Sequence, residues 1–286
     1  MNDIHAAKPS ASVRAQYDLT DRVAIVTGGA GFLGVQHAEA LGEMGAIPVL
    51  FDLDRARLEE AAARVKAASN GRCETATADI TDAKSLRAAT DAVMARHGRI
   101  DVLVNNAALA HAGLATQQEF FAEFEDYRRE LWDAGLTVNI TGTMLACQIV
   151  GPIMVGQGKG AIINIASDVG VISPDPRIYR PDAHGYQGVA FNSPPFYAVS
   201  KAAVIHLTKL LAVRWGPHNV RVNALSPAGV YRGHDPAFVA KLAATMPLGR
   251  MAAENEYKGA IVFLASDASS FMTGHNLVMD GGRTAW

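Results

Sequence analysis

The chain has 286 residues and a mass of 30.3 kDa, with 49% hydrophobic residues, 19% charged residues and a mean hydropathy of +0.09. It is too apolar for a disordered chain and too charged for a membrane bundle, and its length suits one α/β domain. Lys+Arg 26 against Asp+Glu 28 leaves a formal charge of −2, so neither nucleic acid nor a membrane surface is expected as a partner.

Residues 1–20 carry Asp3, Lys8, Pro9, Arg14 and Asp18 without an apolar run. They read as a loosely ordered arm rather than a signal peptide, ahead of a domain over 21–286. From Arg22 onward, short uncharged runs at 23–27, 47–51, 102–104, 161–165 and 220–224 read as strands buried on both faces. Amphipathic stretches at 33–44, 54–68, 82–97, 120–134, 137–155 and 197–215 read as helices. In the second of these, Leu58, Ala62 and Val65 lie opposite Arg57, Glu60 and Arg64. The uncharged span 134–158 holds Asn139, Gln148 and Pro152, too polar for lipid, and reads as a core helix. This alternation implies a single doubly wound, Rossmann-type α/β domain with a parallel sheet flanked by helices.

Cys73 and Cys147 are the 2 cysteines, too few for a disulfide framework and in no Cys/His cluster. No metal is expected.

The first strand runs into Thr27-Gly28-Gly29-Ala30-Gly31-Phe32-Leu33-Gly34 and then a helix. Glycines at 28, 31 and 34 permit a tight turn and let backbone approach a pyrophosphate at the helix N-terminus. After the next strand comes Asp52, followed by Leu53. A carboxylate there accepts from an adenosine ribose 2′-hydroxyl and repels a 2′-phosphate, which points to NAD over NADP. As alternatives, Asp52 is a strand-end turn residue and Asp54 a helix N-cap.

Tyr197 and Lys201 lie four apart on one helix face. A neighbouring ammonium and a positive nicotinamide ring would draw the tyrosine pKa toward neutrality. Asn105-Asn106-Ala107-Ala108 closes one strand, Asn139 sits on the helix after it, and Asn164-Ile165-Ala166-Ser167-Asp168-Val169-Gly170 closes another.

Taken together these motifs resemble the short-chain dehydrogenase/reductase family over about residues 20–282. The resemblance implies Tyr197 as acid/base, Lys201 as the lysine on the nicotinamide ribose, Ser167 as the hydroxyl that orients the reacting oxygen, and Asn139 as the support of a helix distortion and a water path. It also implies a cofactor site formed by Gly28, Gly31, Phe32, Leu33, Asp52, Leu53, Asp79, Ile80, Asn105, Ala107, Tyr197, Lys201, Pro227, Gly229 and Val230. Considered singly, Ser167 could cap a turn and Asn139 could satisfy helix backbone.

The sequence departs from the family in several places. Phe32 stands where the main branch carries glycine, a spacing similar to the nucleotide-sugar epimerases and dehydratases. The ending Met279-Asp280-Gly281-Gly282 instead resembles the shorter oligomeric dehydrogenases. Ala108 and Ala228 replace commoner glycines. The stretch from Ser167 to Tyr197 is longer than the family norm, so 171–195 reads as an insertion at the pocket rim. It carries Arg177, Arg180 and His184 among Tyr179, Tyr186 and Phe191. Such a segment suits a sugar, a sugar acid or another polar carbohydrate, with Ser167, Arg177, Arg180 and Tyr197 as substrate contacts. Equally, it is a lid or an oligomer contact. His111 and His234 are further candidates for the pocket. The expected protein is an NAD-dependent alcohol dehydrogenase, cytoplasmic and homotetrameric; an NAD-retaining epimerase or dehydratase and a non-catalytic NAD-binding protein are the alternatives.

Overall fold

The computed structural model describes residues 12–109, 117–179 and 192–286. Strands β1 (Val23–Thr27), β2 (Ile47–Asp52), β3 (Glu74–Thr77), β4 (Val102–Asn105), β5 (Gly160–Ile165), β6 (Val220–Pro227) and β7 (Asn276–Met279) form one sheet in the order β3-β2-β1-β4-β5-β6-β7. Every pairing is parallel. β1 pairs with both β2 and β4, so the order reverses there and a crevice opens beyond the carboxyl ends of these strands.

The strands read as continuous apolar runs because both faces are covered. Ala24 and Val26 of β1 pack with Leu41, Leu58 and Ile261 on one side. Val23 and Ile25 pack with Leu86, Val150 and Trp215 on the other. The first face is covered by α2 (Phe32–Glu43), α3 (Arg55–Ala68) and α10 (Lys258–Ala265), the second by α4 (Ala83–His97), α7 (Thr143–Gln157) and α8 (Pro195–Trp215). Asp54 caps α3, accepting from the N–H groups of Ala56 and Arg57.

Three sequence expectations are corrected. β3 and β7, absent from the strands read in the sequence, are edge strands: β3 alternates in exposure, and the short apolar run Leu277-Val278-Met279 of β7 is only partly buried. The helix expected over 120–134 is broken into α5 (Gln117–Phe120), a 3-10 turn (Phe124–Asp126) and α6 (Arg129–Leu136). Phe120 is buried against the Phe196 ring, at a centroid distance of 5.9 Å, whereas Phe124 is exposed; the two apolar residues share no face. Finally, Leu19 of the expected arm is fully buried in the core, and its N–H donates to the carbonyl of Met44. A short helix, α1 (Val13–Gln16), precedes it, and α9 (Pro236–Ala243) follows β6.

Two helical stretches, Arg129–Gln157 and Pro195–His218, are long and apolar enough to cross a membrane by length and composition. Both are packed into the fold: α7 against the sheet, and α8 against β6 and the turn that follows β5.

Candidate active site

A cleft of about 990 Å³ lies at the carboxyl ends of the strands. One wall is the glycine loop. Gly28 has φ +60, and a Cβ there would lie 2.7 Å from the Cα of Ala107, so the position is closed to a side chain by both strain and contact. α2 starts at Gly31 without a side-chain cap, which leaves first-turn N–H groups of Phe32 and Leu33 open to an anion at the cleft. Asp52 lies against this loop. Its Oδ2 accepts from the N–H of Ala30 at 3.0 Å and its Oδ1 from the N–H of Leu53 at 2.8 Å, and each oxygen keeps a further lone pair. Glycines a side chain would clash with, an uncapped helix start and a carboxylate at the strand end fit a dinucleotide. Asp79, Ile80, Ala107, Pro227, Gly229 and Val230 line the same cleft.

The opposite wall carries the polar cluster. Pro195 in the first turn of α8, where its missing N–H has no partner to lose, leads directly to Tyr197 and, one turn on, Lys201. The Lys201 ammonium donates to the carbonyl of Ile165 at 2.7 Å and sits 5.5 Å from the Tyr197 ring centroid. Burial pushes Lys201 down to about 8. Burial also pushes the Tyr197 phenol up to about 12; the Asp168 charge adds to this, and a hydrogen bond with Ser167 opposes it. In the chain alone burial thus outweighs the groups that favour phenolate at Tyr197. Ser167 also caps the 3-10 turn Asp168–Gly170, accepting from the N–H of Val169.

α8 is held in place by polar ties through the core. The Asn105 side-chain N–H donates to Asn164 Oδ1 at 2.8 Å, and Asn164 donates to Thr208 Oγ1 at 2.9 Å. This chain crosses from β4 through β5 to α8. Asn139 lies in a π-helical turn, Thr137–Gly142. Its Oδ1 accepts from the N–H of Leu109 at 2.7 Å, and its amide donates to Ser200 Oγ at 3.0 Å. Ser200 in turn donates to the carbonyl of Tyr197 at 2.7 Å. Asn139 thus ties the loop after β4 to the helix that presents Tyr197.

Two candidates sit elsewhere than expected. The Asn105 side chain points into the sheet rather than the cleft; the cleft residue is Asn106, whose amide donates to the carbonyls of Thr27 and Gly28 at 3.1 and 3.0 Å. Arg177 does not reach the cleft. Its guanidinium grips Asp175 two residues back, with Nη2–Oδ2 at 2.7 Å, and is largely exposed. Arg180, His111 and His184 lie outside the described residues. His234 does line the cleft. Three arginines that sequence reasoning passed over also line it: Arg57, Arg232 and Arg283. Arg232 lies 4.2 Å from the centroid of the Phe32 ring, joining the two walls. Among the described residues no cluster of His, Cys, Asp and Glu is placed to hold a metal ion.

Comparison with known proteins identifies the family. The family model described as short chain dehydrogenase matches residues 22–178, and one described as enoyl-(acyl carrier protein) reductase matches residues 182–284. D-threitol dehydrogenase of Mycolicibacterium smegmatis is 37% identical over 278 residues, 96% of each chain. A structure of NAD+-bound xylitol dehydrogenase superposes with a TM-score of 0.80 at 30% identity, covering 92% of this chain and 99% of the other. A gluconate 5-dehydrogenase from Burkholderia cenocepacia, in complex with NADP and tartrate, does so with a TM-score of 0.82 at 30% identity, over 96% and 100%. The chain belongs to the short-chain dehydrogenase/reductase family and is an oxidoreductase acting on alcohol groups.

Proposed function

We propose that the protein is an NAD(H)-dependent dehydrogenase that interconverts a secondary alcohol of a small polyol or sugar with the corresponding ketone. The observation that carries this reading is Tyr197 beside Ser167 and Lys201 at the end of a cleft whose other end holds Asp52 against the glycine loop. When bound, NAD would accept a hydride from the carbinol carbon. Tyr197 Oη takes the hydroxyl proton in oxidation and returns it in reduction; Ser167 orients the oxygen, and Lys201 holds the ribose and supplies positive charge beside the phenol. Because burial holds the phenol high in the chain alone, the positive nicotinamide ring would supply the remaining bias toward phenolate.

Similar proteins bind either dinucleotide, so the choice of NAD rests on Asp52. The polyol preference rests on the names of the similar enzymes and on charge. Arg283, which lines the cleft beside Ser167, is committed to Asp168 at 2.7 Å, and Arg177 to Asp175. A neutral polyhydroxy compound suits that wall better than a sugar acid. The same reading includes a cytoplasmic homotetramer: α8 turns Val199, Leu210 and Val213 outward, exposed by 49%, 57% and 81%. Light scattering on the purified protein tests the tetramer.

Isotope transfer tests the reaction. With NAD and a polyol deuterated at its carbinol carbons, the dehydrogenase reading expects deuterium in free NADH. Deuterium that returns to an isomerised product, with no free NADH, would support the epimerase alternative.

A further inference from the structure

The residue after Ser167 is an aspartate, and the pair it makes is the most deeply buried ion pair of the described molecule. Asp168 Oδ2 accepts from Arg283 Nη1 at 2.7 Å, with side chains exposed by only 4% and 5%. Asp168 Oδ1 is 2.9 Å from Ser167 Oγ and accepts from the N–H of Val169 at 2.8 Å. A carboxylate only accepts, so Ser167 Oγ is the donor to Asp168 Oδ1, in competition with its hydrogen bond to Tyr197. The arginine comes from the far end of the chain and is presented by a built turn. Asp280 accepts from the N–H groups of Gly282 and Thr284 at 2.9 and 2.7 Å. Gly281 and Gly282 hold φ +66 and +88, values that exclude an ordinary side chain without strain.

We propose that Arg283 is a positioning residue of the active site: through its buried pair with Asp168 it fixes the direction of the Ser167 hydroxyl and offsets part of the negative charge that Asp168 places beside Tyr197. The inference rests on the reading of Tyr197 and Ser167 as the groups that meet the reacting oxygen. Three groups act on Tyr197 from the loop side: Asp168, Ser167 and Tyr179. Lys201 faces it from its own helix. Tyr179 in turn feels Arg283, Asp168 and Asp175. His234 lines the same cleft. Among these, Asp168 is the main charge that raises the phenol and Tyr179 adds to it, and Arg283 is the cation hydrogen-bonded to Asp168. In so buried a site the interaction is screened little by salt. Losing either partner exposes Tyr197 to the charge of the one left behind; losing both leaves it close to the native balance.

The test is the pH profile of kcat/KM for polyol oxidation in four full-length variants, with melting temperature and NADH fluorescence titration as controls for folding and cofactor binding. D168N leaves the arginine unpaired and moves the ascending limb to lower pH by about one pH unit. R283M leaves the aspartate unpaired, moves the limb to higher pH and lowers kcat at pH 7 about tenfold, with KM changed less. D168N/R283M returns the limb to within a few tenths of wild type, and R283K recovers most of the R283M loss. If R283M does not fold, D168N against the double variant still decides, because they differ only by the Arg283 charge. Coincident limbs in those two folded variants would overturn the proposal. The underlying reading fails separately, if Y197F keeps turnover.

Discussion

In the proposed function Asp52 selects NAD over NADP, and its replacement gives a quantitative check of the cofactor end of the cleft. Its carboxylate is fixed by the N–H groups of Ala30 and Leu53, so its charge stands at the strand end without side-chain freedom to lose on binding. A hydrogen bond from a ribose hydroxyl to a charged acceptor contributes about 1.5–3 kcal/mol. Repulsion of a phosphate charge about 4 Å away costs roughly 1 kcal/mol in water and about 4 kcal/mol near a protein surface. Even the lower ends together, about 2.5 kcal/mol, change the NAD-to-NADP ratio of kcat/KM by roughly 60-fold. D52N keeps an accepting oxygen and removes the charge; D52S shortens the side chain as well. Arg57 lines the same wall and donates to the carbonyl of Ala30 at 3.2 Å, so D52S leaves a cation beside any 2′-phosphate, and D52S/R57A loses part of the gain with NADP. Steady-state kinetics with both dinucleotides and fluorescence titration with both reduced forms read the effect. A folded D52N whose ratio moves less than about threefold would refute the assignment.

Further outcomes follow from other parts of the molecule. His37 on α2 is 1% exposed with neither ring nitrogen partnered, and burial pushes it down to about 3 from 6.5. The unfolded chain therefore binds a proton that the native chain refuses, and stability falls with pH below about 6.5. Between pH 7 and pH 5 the loss is about 2 kcal/mol, read as a drop in the urea midpoint; H37L should flatten that fall, and an equal fall in H37L would contradict it. The Phe32–Arg232 contact bridges the two walls of the cleft and contributes about 0.5–2 kcal/mol, so F32G and R232A should each release NADH roughly 2–30-fold faster in stopped-flow displacement, whereas unchanged off-rates would leave the contact without a role in cofactor retention. Turnover should persist after dialysis against EDTA; loss restored by a divalent cation would contradict the metal-free reading.

What the sequence made legible was local. The glycine loop, Asp52, Ser167 and the Tyr197–Lys201 pair each announce themselves within a few residues, because a strand, a turn and a helix start impose a fixed spacing on the groups they present. Central strands were legible for a similar reason, since burial on both faces leaves an uninterrupted apolar run. The edge strand β3 carries no such run, and that of β7 is only three residues long and partly exposed. Arg283 and Arg232 were illegible because only the fold brings them to the cleft: Arg283 meets Asp168 across the whole catalytic half of the chain. Arg177 misled for the opposite reason, as its partner Asp175 lies two residues away and takes its charge at the surface. Asn105 sat at the expected strand end, but its side chain turns to the sheet face covered by α7, against Cys147 and Asn164, and leaves the cleft to Asn106.

The most direct measurement is the NADH absorbance band when the purified protein, and Y197F beside it, meets NAD with threitol, xylitol, glycerol, galactitol and gluconate. The wild-type chain should give NADH with at least one neutral polyol and little with gluconate, and a folded Y197F that still binds NADH should lose about a hundredfold to ten-thousandfold in kcat. Turnover by Y197F at the wild-type rate would contradict the central assignment of Tyr197.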